Sequence, residues 1–181
     1  LEQSTGWDIG YPSTPLKTYF DGLQNKNLRI LIPGAGNAYE AEYLYQQGFE
    51  NVHVLDWAEE AIKALKLRLP EFPDNQLIQG DFFEHQGQYD LIVEQTFFCA
   101  LMPELRVSYA KHMHRLLKDN GELVGLLFNF PLTEQGPPFG GDKEEYLGYF
   151  DPLFEVKHMD IAENSIKPRQ GKEYFFQLVK A

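Results

Sequence analysis

A single cysteine, Cys99, stands among the 181 residues. One thiol forms neither an internal disulfide nor a CxxC site, so the fold rests on packing alone and suits a reducing, cytoplasmic setting. Long apolar runs are also missing. No stretch approaches the roughly 20 residues of a membrane span, and no secretory apolar segment is seen. Basic residues are few, 16 against 27 acidic ones, giving a formal charge of −11. No Lys/Arg stripe offsets that charge, so phosphate backbones and anionic bilayers are repelled, and neither nucleic acid nor membrane is an expected partner. His112 and His114 lie two apart on a helical stretch and diverge, so no metal site is expected. No serine sits in a nucleophile-elbow context.

What is present suffices for one core. Hydrophobic residues make up 43% of the chain and charged residues 24%, the balance of a globular domain spanning 1–181. The chain opens LEQSTGW without a methionine, which points to residues upstream of Leu1.

Apolar runs at 28–32 (LRILI), 51–56 (NVHVLD), 76–79, 89–94 and 121–129 (GELVGLLFN) predict five strands. The last is the longest and almost wholly apolar, hence central. Helices are expected after Asn37, as N-cap with Glu40 completing a capping box, and up to Gly48. Others are expected over AEEAIKALKLRL to Pro70, over Pro103–Leu117 with Leu105, Tyr109, Met113 and Leu116/Leu117 as its apolar stripe, and over 143–150. FEVKHMDI and EYFFQLVK close the chain as a hairpin. Strands alternating with helices predict an α/β, Rossmann-like doubly wound sheet with helices on both faces.

Such sheets bind ligands beyond the strand C-termini, where strand order reverses. Gly34 and Gly36 stand at that end of the first strand, where missing Cβ atoms allow a tight turn and close backbone approach. The dinucleotide pattern GxGxxG/A is not completed, because its sixth position is Tyr39, too large for close helix–strand packing. Asp56 ends the second strand, where a carboxylate can receive both hydroxyls of a ribose. A diol-binding acid without a diphosphate turn fits an adenosine-bearing ligand lacking phosphates, such as S-adenosylmethionine. The bland alternative is a glycine-rich turn with Asp56 as a surface acid. Asp81, ending the third strand, can accept the exocyclic amine of adenine with Phe82 flanking the ring; the alternative is a turn-capping acid.

The strings GDFF, EQTFFCALMPELR and LFNFPLTEQGPPFG, read together, resemble the class I S-adenosylmethionine-dependent methyltransferases, and within them the thiopurine/thiol/halide methyltransferase-like family. The resemblance runs from TGWDIGYPSTPL to PRQGKE. It implies a seven-stranded sheet of order 3-2-1-4-5-7-6 with the last strand antiparallel, in which 28–181 is the core and 1–27 an arm or partial lid. The family's PGxGxG turn falls on Pro33, Gly34, Ala35, Gly36, Asn37 and Ala38, with alanine replacing the third glycine. Its ribose acid falls on Asp56, its adenine pair on Asp81 and Phe82, and its acid at the cofactor's methionine end on Glu94. Its lid tryptophan matches Trp7, with other lid residues ahead of Leu1.

The implied reaction moves a methyl group from S-adenosyl-L-methionine to a small thiol, thiopurine, hydrogen sulfide or halide, leaving S-adenosyl-L-homocysteine. The sulfonium is already activated, so orientation and exclusion of water matter more than a strong base. Trp7 is expected over the sulfonium as a cation–π partner. The acceptor pocket is expected beside TFFCA and GPPFG, lined by Phe98 and Phe139, with Tyr11 and Tyr19 at its entrance. The resemblance places Arg106 near the acceptor, where it can steady a thiolate; a solvent-facing salt bridge is its alternative. Cys99 reads as core packing rather than a nucleophile. Arg169 and Lys172 match a family motif, but their chemistry suggests no role. A monomer is expected. The competing functions are O- or N-methylation of a small aromatic metabolite and nucleoside binding without turnover.

Overall fold

A computed structural model describes residues 8–181. In chain order the elements are α1 (Thr14–Asp21), β1 (Ile30–Pro33), α2 (Tyr39–Gln46), β2 (Val52–Asp56), α3 (Glu59–Arg68), β3 (Leu77–Gln79), β4 (Tyr89–Glu94), α4 (Arg106–Leu116), β5 (Leu117–Phe128), α5 (Lys143–Phe150), β6 (Glu155–Ile161) and β7 (Glu173–Val179). The seven strands form one sheet of order β3-β2-β1-β4-β5-β7-β6. The pairs from β3 to β5 are parallel, and β7 runs antiparallel to both β5 and β6.

Alternation across each strand divides the core in two. Ile30, Ile32, Val52, Val54, Leu91, Val93, Val124 and Leu126 pack with Leu16 and Phe20 of α1, Leu44 of α2 and Leu65 of α3. Leu31, Leu55, Ile92, Leu123, Leu127, Phe176 and Leu178 face the other way, onto Tyr109 and Met113 of α4 and Tyr146 and Phe150 of α5. Because both faces are covered, the central strands read as continuous apolar runs rather than alternating ones.

Three local expectations are corrected. Asn37 does not cap α2: the N-cap is Ala38, held left-handed at φ 55°, and Glu40 instead accepts the Ser13 N–H at 3.0 Å. The Pro103–Leu117 helix opens with a separate 3₁₀ turn, Pro103–Leu105, so Leu105 is partly exposed rather than part of the core stripe. The fifth strand begins four residues early, with Leu117 paired to Tyr89 and a register shift before Leu91. The sequence pattern also predicts no helix before β1, where α1 is started by Pro15 in its first turn and anchored by buried Leu16 and Phe20.

Candidate cofactor and acceptor site

The parallel strands end along one edge of the sheet, and their C-terminal turns frame a cavity of about 500 Å³. Gly34 and Gly36 follow β1, Asp56 ends β2 with Trp57 after it, Gly80 to Phe83 follow β3, and Thr96 and Phe97 follow β4. β1 lies between β2 and β4, where strand order reverses, so the glycine turn stands at the switch point.

Pro33 ends β1 and is buried. Beyond it, Gly34 and Gly36 have φ of +59° and +53°, a region that resists side chains. Their surroundings differ. A Cβ on Gly34 would lie 2.2 Å from Cδ2 of Phe97, whereas one on Gly36 would meet nothing within 4 Å. Gly34 is therefore required by the protein's own packing, and Gly36 leaves room for something else. Asp56 stabilises the turn from below: Oδ2 accepts the Gly36 N–H at 2.9 Å and Oδ1 the Ala58 N–H at 2.8 Å. A carboxylate has about four lone-pair positions, so each oxygen keeps one for a ligand. Asp81 caps a short 3₁₀ turn by accepting the Phe83 N–H through Oδ1 at 2.8 Å. Phe82 lines the cavity from a base of aromatic contacts with Phe97 and Tyr109.

Two groups are not found from sequence. Trp57 is 74% exposed at the rim, directly after Asp56; the LDW string is its signal. Thr96 has φ +56°, a strained conformation for a β-branched residue, and no residue pattern announces it. Thr96 also lines a second cavity, of about 400 Å³, on the other side of the glycine turn, with Tyr11, Tyr39 and Gln95.

Five expected site residues lie elsewhere. Glu94 is fully buried. Its Oε1 accepts the N–H groups of Phe97 and Phe98 at 2.8 and 2.9 Å, and its Oε2 accepts the Tyr109 hydroxyl. Burial pushes its carboxyl up to about 7 against the pull of those donors. It braces the turn after β4, with both oxygens engaged by the protein's own donors. Arg106 is fully buried and lines none of the cavities described among residues 8–181: it pairs with Glu145 at 2.7 Å, donates to Gly140 O at 2.7 Å, and stacks over Phe98 at 4.7 Å. Neither a thiolate ligand nor a solvent-facing bridge describes it; it fastens the loop after β5 to α4 and α5. Phe98 packs against Tyr109 and Tyr146, and Phe139 is drawn inward as its N–H donates to Cys99 O at 2.8 Å. Their neighbours Phe97, Pro137 and Pro138 line the cavity instead, with Leu101 and Leu105. Tyr11 is 48% exposed at the second cavity, while Tyr19 lies on α1 and donates to Glu122 at 2.8 Å, remote from the turn. Trp7 falls outside the described residues.

Cys99 is buried, its thiol pushed up to about 12, chiefly by desolvation and then by nearby Glu94, which suits packing and not nucleophilic attack. Among the described residues no group of three His, Cys, Asp or Glu side chains is placed to hold a metal, and no helix is long and apolar enough to cross a membrane.

A seven-stranded sheet of this order, with a glycine turn at its switch point and an acid ending β2, defines a class I S-adenosylmethionine-dependent methyltransferase. Solved structures share the fold: a TehB-like S-adenosylmethionine-dependent methyltransferase from Corynebacterium glutamicum superposes with a TM-score of 0.70 at 20% identity, over 96% of this chain and 89% of its own. The 1,6-didemethyltoxoflavin-N1-methyltransferase of Burkholderia thailandensis, solved with S-adenosylhomocysteine, gives 0.72 at 17% identity, over 93% and 77%.

The sequence goes further, since the thiopurine S-methyltransferase family matches residues 1–179, and the chain belongs to that family. Among its relatives, a probable thiol methyltransferase 2 of Arabidopsis thaliana is 31% identical over 176 residues, 94% of this chain and 77% of the relative. Thiocyanate methyltransferase 1 of Brassica oleracea is 33% identical over 179 residues, 93% and 77%.

Proposed function

We propose that the chain methylates the sulfur of a small thiol-type acceptor, and that the 500 Å³ cavity holds S-adenosylmethionine. The single observation carrying the cofactor reading is the open space above Gly36, framed by the two Asp56 oxygens that each keep a lone pair. Asp56 would receive the ribose hydroxyls, Asp81 the adenine amine, and Trp57 and Phe82 the faces of the ring. Bound there, the cofactor supplies a methyl group on a positively charged sulfur.

The residues then divide the work in three. The glycine turn and Asp56 fix the ligand's long axis. Phe97, Leu101, Leu105, Pro137 and Pro138 make an apolar wall that excludes water and favours a soft, weakly hydrated nucleophile over an oxygen one. Thr96, between the two cavities, marks where an acceptor entering past Tyr11 would meet the methyl group. The names of the relatives support thiol sulfur as the acceptor, with thiocyanate and thiopurine as close variants. We further propose a cytoplasmic monomer.

A methyl-transfer screen tests this reading. Purified protein with S-adenosylmethionine is offered thiols, thiopurines, thiocyanate, iodide, phenols and amines. Methylated sulfur products are expected. Turnover on phenols or amines alone would move the reading to O- or N-methylation, and cofactor binding without turnover to a binding module.

A further inference from the structure

Against Thr96, on the α1 side of the sheet, lies a small chamber of about 10 Å³ that adjoins both larger cavities, sharing Thr96 and Cys99 with the first and Gln95 and Thr96 with the second. It is lined by Gln95, Thr96, Cys99, Arg169 and Glu173 and by two apolar side chains of β5. Glu173 is 2% exposed. Its Oε1 accepts the Ser165 hydroxyl at 2.7 Å, whereas its Oε2 makes no hydrogen bond, and Arg169 Nη1 stands 3.9 Å away. Gln95 Oε1 is likewise buried and unpartnered. Two unsatisfied buried acceptors on one chamber are costly unless a donor lies between them. The space matches one water, which occupies roughly 10–15 Å³ on this measure and needs two to four polar partners.

We propose that this chamber holds a water donating to Gln95 Oε1 and Glu173 Oε2, and that Glu173, acting through it, takes up the proton the acceptor thiol loses. The proposal rests on the thiol reading above. The acceptor S–H bond breaks with its electron pair left on sulfur; its proton passes to the water, and a water proton passes to Glu173. The sulfur then forms the new S–C bond as the sulfonium S–C bond breaks, that pair leaving with the thioether. The surroundings of Glu173 suit a base. Burial raises its carboxyl, strengthening the anion as a proton acceptor, against the smaller lowering by Ser165 and Arg169. The other titratable groups facing the chamber's charges are Cys99, which lines it, and Glu40, whose carboxylate interacts with Arg169. Cys99 is held protonated by its own burial, and Glu40 is engaged by the Ser13 N–H, so Glu173 is the base with an open oxygen.

The test compares Glu173→Gln with wild type across acceptors of falling pKa: an alkyl thiol, an aromatic thiol, then thiocyanate and iodide, which carry no proton. The glutamine keeps the Ser165 contact and the volume but cannot take a proton. For the alkyl thiol kcat/KM should fall about 100-fold, the lower range for a general base, while the proton-free anions, where wild type accepts them, change less than about twofold. Gln95→Leu, removing the other anchor, should give a smaller penalty with the same dependence on thiol pKa. A uniform loss across the series, or none, overturns the proposal. A crystal structure without turnover gives an independent reading: an ordered water between Gln95 Oε1 and Glu173 Oε2 is expected, and side chains closed directly on each other would contradict it. A wild-type protein that methylates no thiol would remove the thiol reading itself, a result distinct from wild-type turnover unaffected by E173Q.

Discussion

At the scale of single residues, the sharpest difference between pattern and structure concerns charges in or near the core. Arg106 and Glu94 are legible as residues of interest because each sits where the family resemblance expects a ligand contact. Their burial is not legible, since it depends on partners 39 residues on, at Glu145, and 15 on, at Tyr109. Arg106→Ala removes the cation paired with Glu145, which keeps the Tyr149 hydroxyl, leaves the Gly140 carbonyl without its Arg106 donor and opens space beneath Phe98. Breaking a buried pair costs about 3–5 kcal/mol, so urea unfolding should show a loss of that order, with Arg106→Met milder. A variant as stable as wild type would show the clamp to be dispensable.

Glu94 gives a pH signature. Its carboxyl is raised from 4.5 to about 7 by burial, so between those values the folded protein holds a proton that the unfolded chain has released. This contribution to stability is full below about pH 4.5 and is lost as pH rises through 7, a span worth about 3 kcal/mol. Glu94→Gln mimics the protonated form. Its stability relative to wild type, followed by denaturant titration, should therefore increase from pH 5 to pH 8. A difference independent of pH would mean that the three donors hold the carboxylate ionised throughout.

At the scale of elements, the sequence is most readable where periodicity and punctuation agree. β4 and α5 fall at their expected bounds, and Gly48, at φ +88°, follows α2 where a stop is expected. The helix α1 escapes the sequence pattern because its eight residues carry only two fully buried large side chains, Leu16 and Phe20, among polar neighbours. The loop after β5 is readable as a wall of the site, but which of its residues faces inward is not. The hydrogen bonds of Arg106 and Cys99 to that loop turn Phe139 under and Pro137 and Pro138 out.

The glycine turn yields a paired prediction. Gly34→Ala puts a methyl group into the Phe97 ring and should lower both stability and cofactor affinity. Gly36→Ala meets open space, so its folding cost is limited to the left-handed backbone, ~1–2 kcal/mol. Its methyl nevertheless stands in the ligand's approach and should weaken S-adenosylhomocysteine binding at least tenfold, on the order of 1.4 kcal/mol. Melting and calorimetry on both variants separate the two roles; unchanged affinity in Gly36→Ala would clear that glycine of ligand contact.

At the scale of the molecule, the formal charge of −11 and the doubly wound sheet act together. The sheet fixes where the site must be, which is why Gly34, Gly36, Asp56 and Asp81 are identifiable from the sequence: strand-end position alone brings them to one edge. The charge sets how acceptors arrive. An anionic acceptor meets a repelling field that salt screens, with the Debye length falling from about 30 Å at 0.01 M to about 8 Å at 0.15 M. Thus kcat/KM for thiocyanate or a preformed thiolate should rise with ionic strength, and that for a neutral thiol should stay flat. Equal salt dependence for both would locate the negative charge away from the entrance.

The central claim is that the crevice at the ends of β1 and β2 grips the sugar of an adenosyl ligand through Asp56. Calorimetric titration of wild type and Asp56→Ala with S-adenosylhomocysteine tests it most directly. Removing charge-assisted hydrogen bonds should cost about 1.5–3 kcal/mol, or roughly 10- to 150-fold in affinity. Equal affinity in the two proteins, or no binding by wild type, would contradict the account.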